Sequence, residues 1–272
     1  MEQAELQAIL DHDERHWWYR GRLRIVMREV RRLGLDPGAQ ILDAGCGSGC
    51  VLDRLAAFGD VAGVDVSPLA VRAARARGHD EVVAANVARL PFEDNTFDLV
   101  TCLDVLEHTP DDLAVLRELR RVTRPGGHMV LTVPAYPALW SVHDEHNHHY
   151  RRYRRRDLVS VAEKAGLVLE RDTHFNALLL PPAALVRLVG RLRPWGRRRR
   201  RRSDLSLTPR PLNPFLELPL RIEAGLLRLG VTLPVGLSLL ATYARPIESG
   251  VRGAGRSPTH VRQVTSSSST PS

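Results

Sequence analysis

Seven consecutive residues, Asp43-Ala44-Gly45-Cys46-Gly47-Ser48-Gly49, carry the densest chemical information in this 272-residue chain. They follow a short apolar run, Gln40-Ile41-Leu42, and precede a helix-like segment, Val51–Phe58. Glycines at a strand-to-helix turn let a ligand approach bare backbone, and the start of the helix offers unpaired N–H groups. Spacing narrows the ligand. A dinucleotide fingerprint would need glycine where Cys50 stands, and no Gly-Lys-Ser/Thr follows to make a phosphate-binding P-loop. A carboxylate at Asp43 would repel pyrophosphate and attract a cation or an α-amino group. S-adenosylmethionine carries both a sulfonium and an ammonium, and it is the cofactor expected at this loop.

A second cluster lies further along, in His143-Asp144-Glu145-His146-Asn147-His148-His149. Transfer of a group from a sulfonium is an in-line displacement, so a protein that promotes it must position the acceptor and, for a hydroxyl, take up its proton. His143, His148 and His149 are the candidate bases, with Asp144 available to orient one of them. Four histidines in seven residues could also suit a metal, but no cysteine or ligand triad accompanies them, and none is expected here.

These residues need a scaffold. From residue 40 onward short β-branched runs alternate with helical ones, the pattern of a parallel sheet with crossover helices. The expected strands are Gln40–Ala44, Val61–Val66, Glu81–Ala85, Phe97–Cys102 and His128–Pro134. The expected helices are Val51–Phe58, Pro68–Arg77 and Asp111–Val122, the last closed by Pro125-Gly126-Gly127. Ligands of such doubly wound α/β sheets bind at the carboxyl ends of the strands. Asp43, Asp65, Asn86 and Asp104 follow four successive strands at intervals of about one β-α unit, so they are expected to open on one cleft.

With those elements in order, the chain resembles a class I S-adenosylmethionine-dependent methyltransferase of the type 11 group. The resemblance rests on Asp43–Gly49, Gly63-Val-Asp65-Val66-Ser67, Asn86-Val-Ala-Arg-Leu-Pro91-Phe92, Phe97-Asp98-Leu-Val, Asp104-Val-Leu-Glu107-His108 and Arg124-Pro-Gly-Gly-His-Met-Val, and it is dense over residues 38–135. It implies a Rossmann-like, seven-stranded, mostly parallel sheet, with Leu167–Arg171 resembling the sixth strand and Val235–Ala244 the antiparallel seventh. It also implies that Gly45, Gly47 and Gly49 approach the methionine portion of the cofactor, that Asp65 accepts hydrogen bonds from the ribose hydroxyls, and that Asn86 stands near the adenine amine, where the family usually has Asp. Asp43, Cys46, Val66, Val87 and Asp104 complete the expected cofactor-binding set. Asp104-Val-Leu-Glu107-His108 is similar to the Glu-x-x-Glu-His motif with which quinone-biosynthesis O-methyltransferases hold a divalent cation. Here Asp replaces the first Glu, and a helix start with acids near its positive end is expected instead of a metal site.

Composition bounds the setting. The formal charge is +8, all but one of the 39 basic residues are arginine (Lys164 is the exception), and the excess is regional: residues 151–202 hold 16 Arg/Lys against 4 Asp/Glu. Concentrated charge of this kind faces nucleic acid, an anionic membrane or a phosphorylated ligand. The run Arg197–Arg202 lacks the interleaved aromatics that stack bases, and the motif of amino-directed nucleobase methylases is missing at Asp104, so nucleic acid is disfavoured. Three cysteines without ligand spacing, an acidic first five residues and no apolar run of about eighteen residues predict a cytoplasmic chain, with peripheral contact at the inner membrane face as a further expectation.

Four segments are expected: a helical cap over 1–36 that includes His16-Trp17-Trp18-Tyr19-Arg20-Gly21-Arg22; a methyltransferase domain over 37–174 and 233–246; a basic helical insertion over 175–232; and a disordered tail over 247–272. The functional expectation is O-methylation of a small or lipid-linked acceptor. An RNA methyltransferase, or a regulatory protein that binds the cofactor without catalysis, is the alternative.

Overall fold

The computed structural model describes residues 16–185 and 213–247. The Arg197–Arg202 run, the first fifteen residues of the expected cap and the tail from residue 248 lie outside the described residues.

Alternation of apolar segments produces a single seven-stranded sheet. In chain order the elements are α1 (Trp17–Leu33), β1 (Ala39–Ala44), α2 (Leu52–Leu55), β2 (Gly59–Asp65), α3 (Pro68–Ala76), β3 (Val82–Ala84), β4 (Phe97–Leu103), α4 (Asp112–Val122), β5 (Thr123–Pro134), α5 (Val142–His146), α6 (Arg155–Lys164), β6 (Val168–Phe175), α7 (Asn213–Arg228) and β7 (Ser238–Ala244). The sheet order is β3-β2-β1-β4-β5-β7-β6. β1 to β5 pair in parallel, and β7 runs antiparallel between β5 and β6. The order reverses at β1 and β4, so the polar strand ends of β1, β2 and β4 face one crevice, as expected of a doubly wound sheet.

Several boundaries differ from the sequence expectation. Val51–Phe58 shortens to the single turn of α2, and β2 begins already at Gly59, because Gly59 pairs with Ala39 and is too close to that backbone to bear a side chain. Pro125-Gly126-Gly127 does not close α4. Its C-cap is Thr123, and β5 starts there, because the Gly126 N–H donates to the Arg245 carbonyl and the Gly127 carbonyl accepts from Arg245, which extends the β5–β7 pairing.

Two apolar layers sandwich the sheet. On one side α4 and α6 bury Leu116, Leu119, Leu158 and Ala162 against β4, β5 and β7. On the other, Ile25, Val26 and Val30 of α1 join Leu220 and Ala224 of α7 over Ile41, Leu99, Val130 and Leu240. α1 and α7 approach closely because Gly21 has no side chain; a Cβ there would run into Leu220. Glu217, buried on α7, bridges the pair by accepting from Arg24 at 2.7 Å, with Arg20 at 3.5 Å. Among the described residues no helix is long and apolar enough to cross a membrane.

Candidate functional site

A cavity of about 960 Å³ opens at the carboxyl ends of β1, β2 and β4, walled by the start of α1 on one side and by the α5 segment on the other. Its lining includes Asp43, Gly45, Cys46, Gly47, Asp65 and Val66 from the first two strand ends, Asn86 and Val87 after β3, and Asp104 after β4. His143, His148 and His149 also line it. Of the residues expected there, Gly49 alone is not in the lining. Its backbone turns at φ +84°, and a Cβ would press on Ala74 and His79 at 3.1 Å, so its smallness serves the packing of α3 under the loop.

The loop is built by backbone constraints. The amides of Gly45 and Cys46 both donate to the Val64 carbonyl, which ties the turn to β2. Gly45 and Gly47 have φ of +88° and +55°, a region that L side chains enter at a cost. A Cβ on Gly45 would strike Val105, whereas a Cβ on Gly47 would meet nothing within 4 Å, so at Gly47 it is bare backbone that faces open space.

The acids differ in state. Asp43 is 1% exposed; Thr101 donates to its Oδ1 at 2.6 Å, and its Oδ2 is buried with no hydrogen-bond partner among the described residues. Burial pushes its carboxyl up to about 6, against the opposing pull of the Thr101 hydroxyl and Arg22. Asp65 accepts from the Gly47 amide at 3.0 Å and the Ser67 amide at 2.8 Å, one bond to each oxygen. Each carboxylate oxygen therefore keeps acceptor capacity beyond that one bond. The Asn86 amide oxygen accepts from the Ala88 amide at 2.8 Å, closing an Asx turn, and this occupies one of the two lone pairs that an adenine amine would seek.

Asp104 is paired with Arg22. The guanidinium also lies 4.9 Å over the Trp18 ring and 5.5 Å over the Tyr19 ring. Burial works against the charge of Arg22, and the pairing with Asp104 more than offsets it, leaving the guanidinium above its usual range. Trp18, Tyr19 and Arg22 share one helical face at i, i+1 and i+4, so this contact was present in the sequence as a spacing. What the sequence did not carry was the partner, 82 residues away.

The histidines take different partners on folding. His149 puts Nδ1 3.0 Å from Asp144 Oδ1, and the same oxygen accepts from Arg152 Nε at 2.7 Å. Asp144 Oδ2 accepts from the Ser141 amide at 2.8 Å, so a fully buried carboxylate is held from three directions. These partners keep Asp144 well below the usual carboxylate range in spite of its burial. His143 instead meets the Asn147 side chain at 2.9 Å, and His148 is exposed with φ +53°. The His149 ring stands edge-on to His108, centroids 4.6 Å apart. Glu107, His108 and His149 form a cluster in which one ligand-type atom from each lies within 4.8 Å of the others. Glu107 is 1% exposed, with Oε2 lacking a hydrogen-bond partner among the described residues. Burial and the charge of Asp104 push its carboxyl well up, and burial and His149 lower His108 to about 4. Asp104 is paired with Arg22, and it is His149 that joins Glu107 and His108 in the cluster.

Bare backbone at Gly47, an unpartnered buried carboxylate oxygen on Asp43 and residual acceptor capacity on Asp65 suit a ligand with a cationic amino acid portion and a diol. Residues 42–131 match the family described as a methyltransferase domain. The ubiquinone biosynthesis O-methyltransferase of Xanthomonas oryzae pv. oryzae (strain PXO99A) is 33% identical over 156 residues, which are 54% of this chain and 59% of that protein. The match therefore spans less than two thirds of that relative. The solved complex between the Haloferax volcanii Trm112 methyltransferase activator and the putative methyltransferase is similar in fold, with TM-score 0.59 and 21% identity over 91% of this chain and 97% of that one. Haemonchus contortus phosphoethanolamine N-methyltransferase 2, solved with S-adenosyl-L-methionine, gives 0.53 and 17% over 80% of this chain and 51% of that one. Fold and strand-end loop together define a class I S-adenosylmethionine-dependent methyltransferase domain. Within that class, residues 42–131 carry the match to the type 11 methyltransferase-domain family.

Proposed function

We propose that this chain methylates an oxygen atom of a small or lipid-linked acceptor, and that His149 takes up the proton. The observation that carries this reading is the Asp144–His149 pair at the wall of the cavity that also contains the glycine loop. When bound, S-adenosylmethionine supplies an electrophilic methyl group on a sulfonium. The backbone of Gly45, Cys46 and Gly47 would admit the methionine portion, and Asp43, with its unpartnered Oδ2, would hold the ammonium. Asp65 would accept from the ribose hydroxyls. Val66, Val87 and Asn86, which line the same cavity, would hold the adenine. Arg22, held over Trp18 and Tyr19, closes this end of the cavity and positions Asp104.

On the acceptor side, Asp144 accepts a hydrogen bond from His149 Nδ1–H, which leaves Nε2 as the acceptor for a hydroxyl proton. Arg152 and Ser141 fix Asp144, so the imidazole is oriented before the acceptor arrives. The curated relative named for ubiquinone biosynthesis O-methylation supports oxygen as the acceptor atom.

Asp43 gives this reading a pH dependence. With its carboxyl at about 6, the charge that faces the ammonium is lost as pH falls through that value. Affinity for S-adenosylhomocysteine is therefore expected to fall from about pH 7.5 to about pH 5, and Asp43→Asn is expected to bind weakly with a flat profile. Calorimetry across that range checks it; a flat profile for the unaltered protein would remove Asp43 from the ammonium site.

Contact with a lipid-linked acceptor is supported by α7, which is apolar on its outside. Glu217 and Glu223 are buried, the latter accepting from the Asn176 amide at 2.6 Å, while Phe215, Leu218, Ile222 and Leu229 form an exposed stripe bordered by exposed Arg221 and Arg228. An apolar stripe between arginines fits the interface of an anionic membrane. Incubation with methyl-labelled cofactor and an extract separated into lipid, small-molecule and RNA fractions tests both parts. Label is expected in the lipid or small-molecule fraction, with the lipid share reduced in Phe215→Ser/Leu229→Ser. Label confined to RNA would overturn the acceptor class, and a lipid share unchanged by the double substitution would overturn the membrane contact.

A further inference from the structure

A second cavity, of about 590 Å³, lies between the C-terminal halves of α1 and α7 and the β6–β7 edge. None of its lining residues lines the larger cavity. Arg28, Arg31, Arg32, Arg171 and Arg228 line it against a single acid, Glu29. Glu29 is already engaged, since its Oε1 accepts from the Thr242 hydroxyl at 2.9 Å and from Arg32 Nε at 2.9 Å.

Arginines near the C-termini of helices often do no more than face the helix carbonyls. Two of the cavity's arginines, Arg28 on α1 and Arg171 on strand β6, are held otherwise. Arg28 Nη1 and Arg171 Nε are buried and have no hydrogen-bond partner among the described residues. Arg171 spends Nη2 on the Gly230 carbonyl at 3.4 Å and keeps Nε only 4.0 Å from Glu29 Oε2, so its guanidinium is fixed without being satisfied. Burial and the neighbouring charges of Arg228, Arg31 and Arg24 depress the Arg28 pKa, which means that this cation is held where its surroundings oppose it. Guanidinium groups gathered around one concave space match the oxygens of a phosphoryl group, which accept bidentate bonds and neutralise the crowding. Ile25, Leu227 and Leu240 give the cavity an apolar side as well, and the volume exceeds that of a phosphate ion, so an organic phosphate fits better than the bare ion.

We propose that this cavity binds a phosphoryl group carried on an organic ligand, either a soluble phosphate ester or a lipid phosphodiester, with Arg28 and Arg171 as its principal donors. The inference does not rest on the methyl-transfer reading, because the site shares no residue with that cavity.

The test uses the full chain with inorganic pyrophosphate in calorimetry and, separately, co-sedimentation with phosphatidylglycerol or phosphatidylcholine vesicles. Saturable pyrophosphate binding that weakens about tenfold or more in Arg28→Gln/Arg171→Gln indicates a soluble ester. Binding to phosphatidylglycerol vesicles only, reduced to the same degree by the double substitution, indicates a lipid source. Circular dichroism and the melting temperature of the variant establish that it folds, and the Arg197–Arg202 run is common to both proteins, so its attraction to vesicles cancels in the comparison. Binding unchanged by the double substitution in both arms, or no binding in either, overturns the proposal.

Discussion

Replacing His149 with alanine is expected to slow methyl transfer by about 10²- to 10⁴-fold while leaving S-adenosylhomocysteine binding unaltered. The expectation follows from how the ring is held. Asp144 is fully buried, receives Ser141 and Arg152, and still offers Oδ1 to His149 at 3.0 Å. A carboxylate so anchored sets the tautomer and the direction of the imidazole, and removing the ring removes the acceptor for the proton without touching the glycine loop. Asp144→Asn should cost part of the same rate, since the ring would remain but lose its orientation. His148→Ala serves as the comparison: that residue is exposed and its backbone sits at φ +53°, so the substitution should leave the rate near that of the unaltered protein. Label transfer measured on the responding extract fraction reads the effect. A His149→Ala protein as fast as the unaltered one would place the proton acceptor elsewhere, with His143 next in line at the cavity wall.

Gly47→Val is expected to weaken S-adenosylhomocysteine binding by about 100-fold or more, equivalent to about 2.7 kcal/mol. Two effects combine. A β-branched residue at φ +55° is strained by about 1–3 kcal/mol, and its side chain would project into the space that the bare loop faces. Because a Cβ at Gly47 meets nothing within 4 Å, the substitution has no neighbour to displace, and the folded chain should survive with a lowered melting temperature. Gly47→Asn separates the two causes, since asparagine tolerates positive φ. It should recover most of the melting temperature and still bind weakly. Calorimetry and thermal melts on the three proteins check this, and retained affinity in Gly47→Val would show that the ligand does not approach the loop.

Much of the fold was legible because it rests on local patterns. Apolar runs of strand length, each followed by a polar residue and then a helical period, give β1 to β5 their order, and the glycine spacing excludes other loops. The resemblance carried the position of β7. The misplaced boundaries share one cause, tertiary pairing that overrides local signals. Pro125-Gly126-Gly127 reads as a terminator until Arg245, more than a hundred residues away, pairs with it. The turn of Asn86 onto Ala88 was equally hidden, since nothing in a linear sequence says which group an amide oxygen will choose.

By itself the sequence determined the class of sheet, the strand-end acids and the loop that bare backbone makes at Gly45 and Gly47, because these depend on residues close in the chain and on the stereochemistry of each residue. Only the tertiary structure decided which histidine meets Asp144, that Asp104 answers Arg22 instead of joining Glu107 and His108, and that Glu217 and Glu223 turn inward so that α7 shows its apolar side. It also gathered arginines from α1, β6 and α7 around one cavity. These are contacts between residues far apart in the chain. They are fixed by which buried charges find partners, and that competition is settled only when the elements pack.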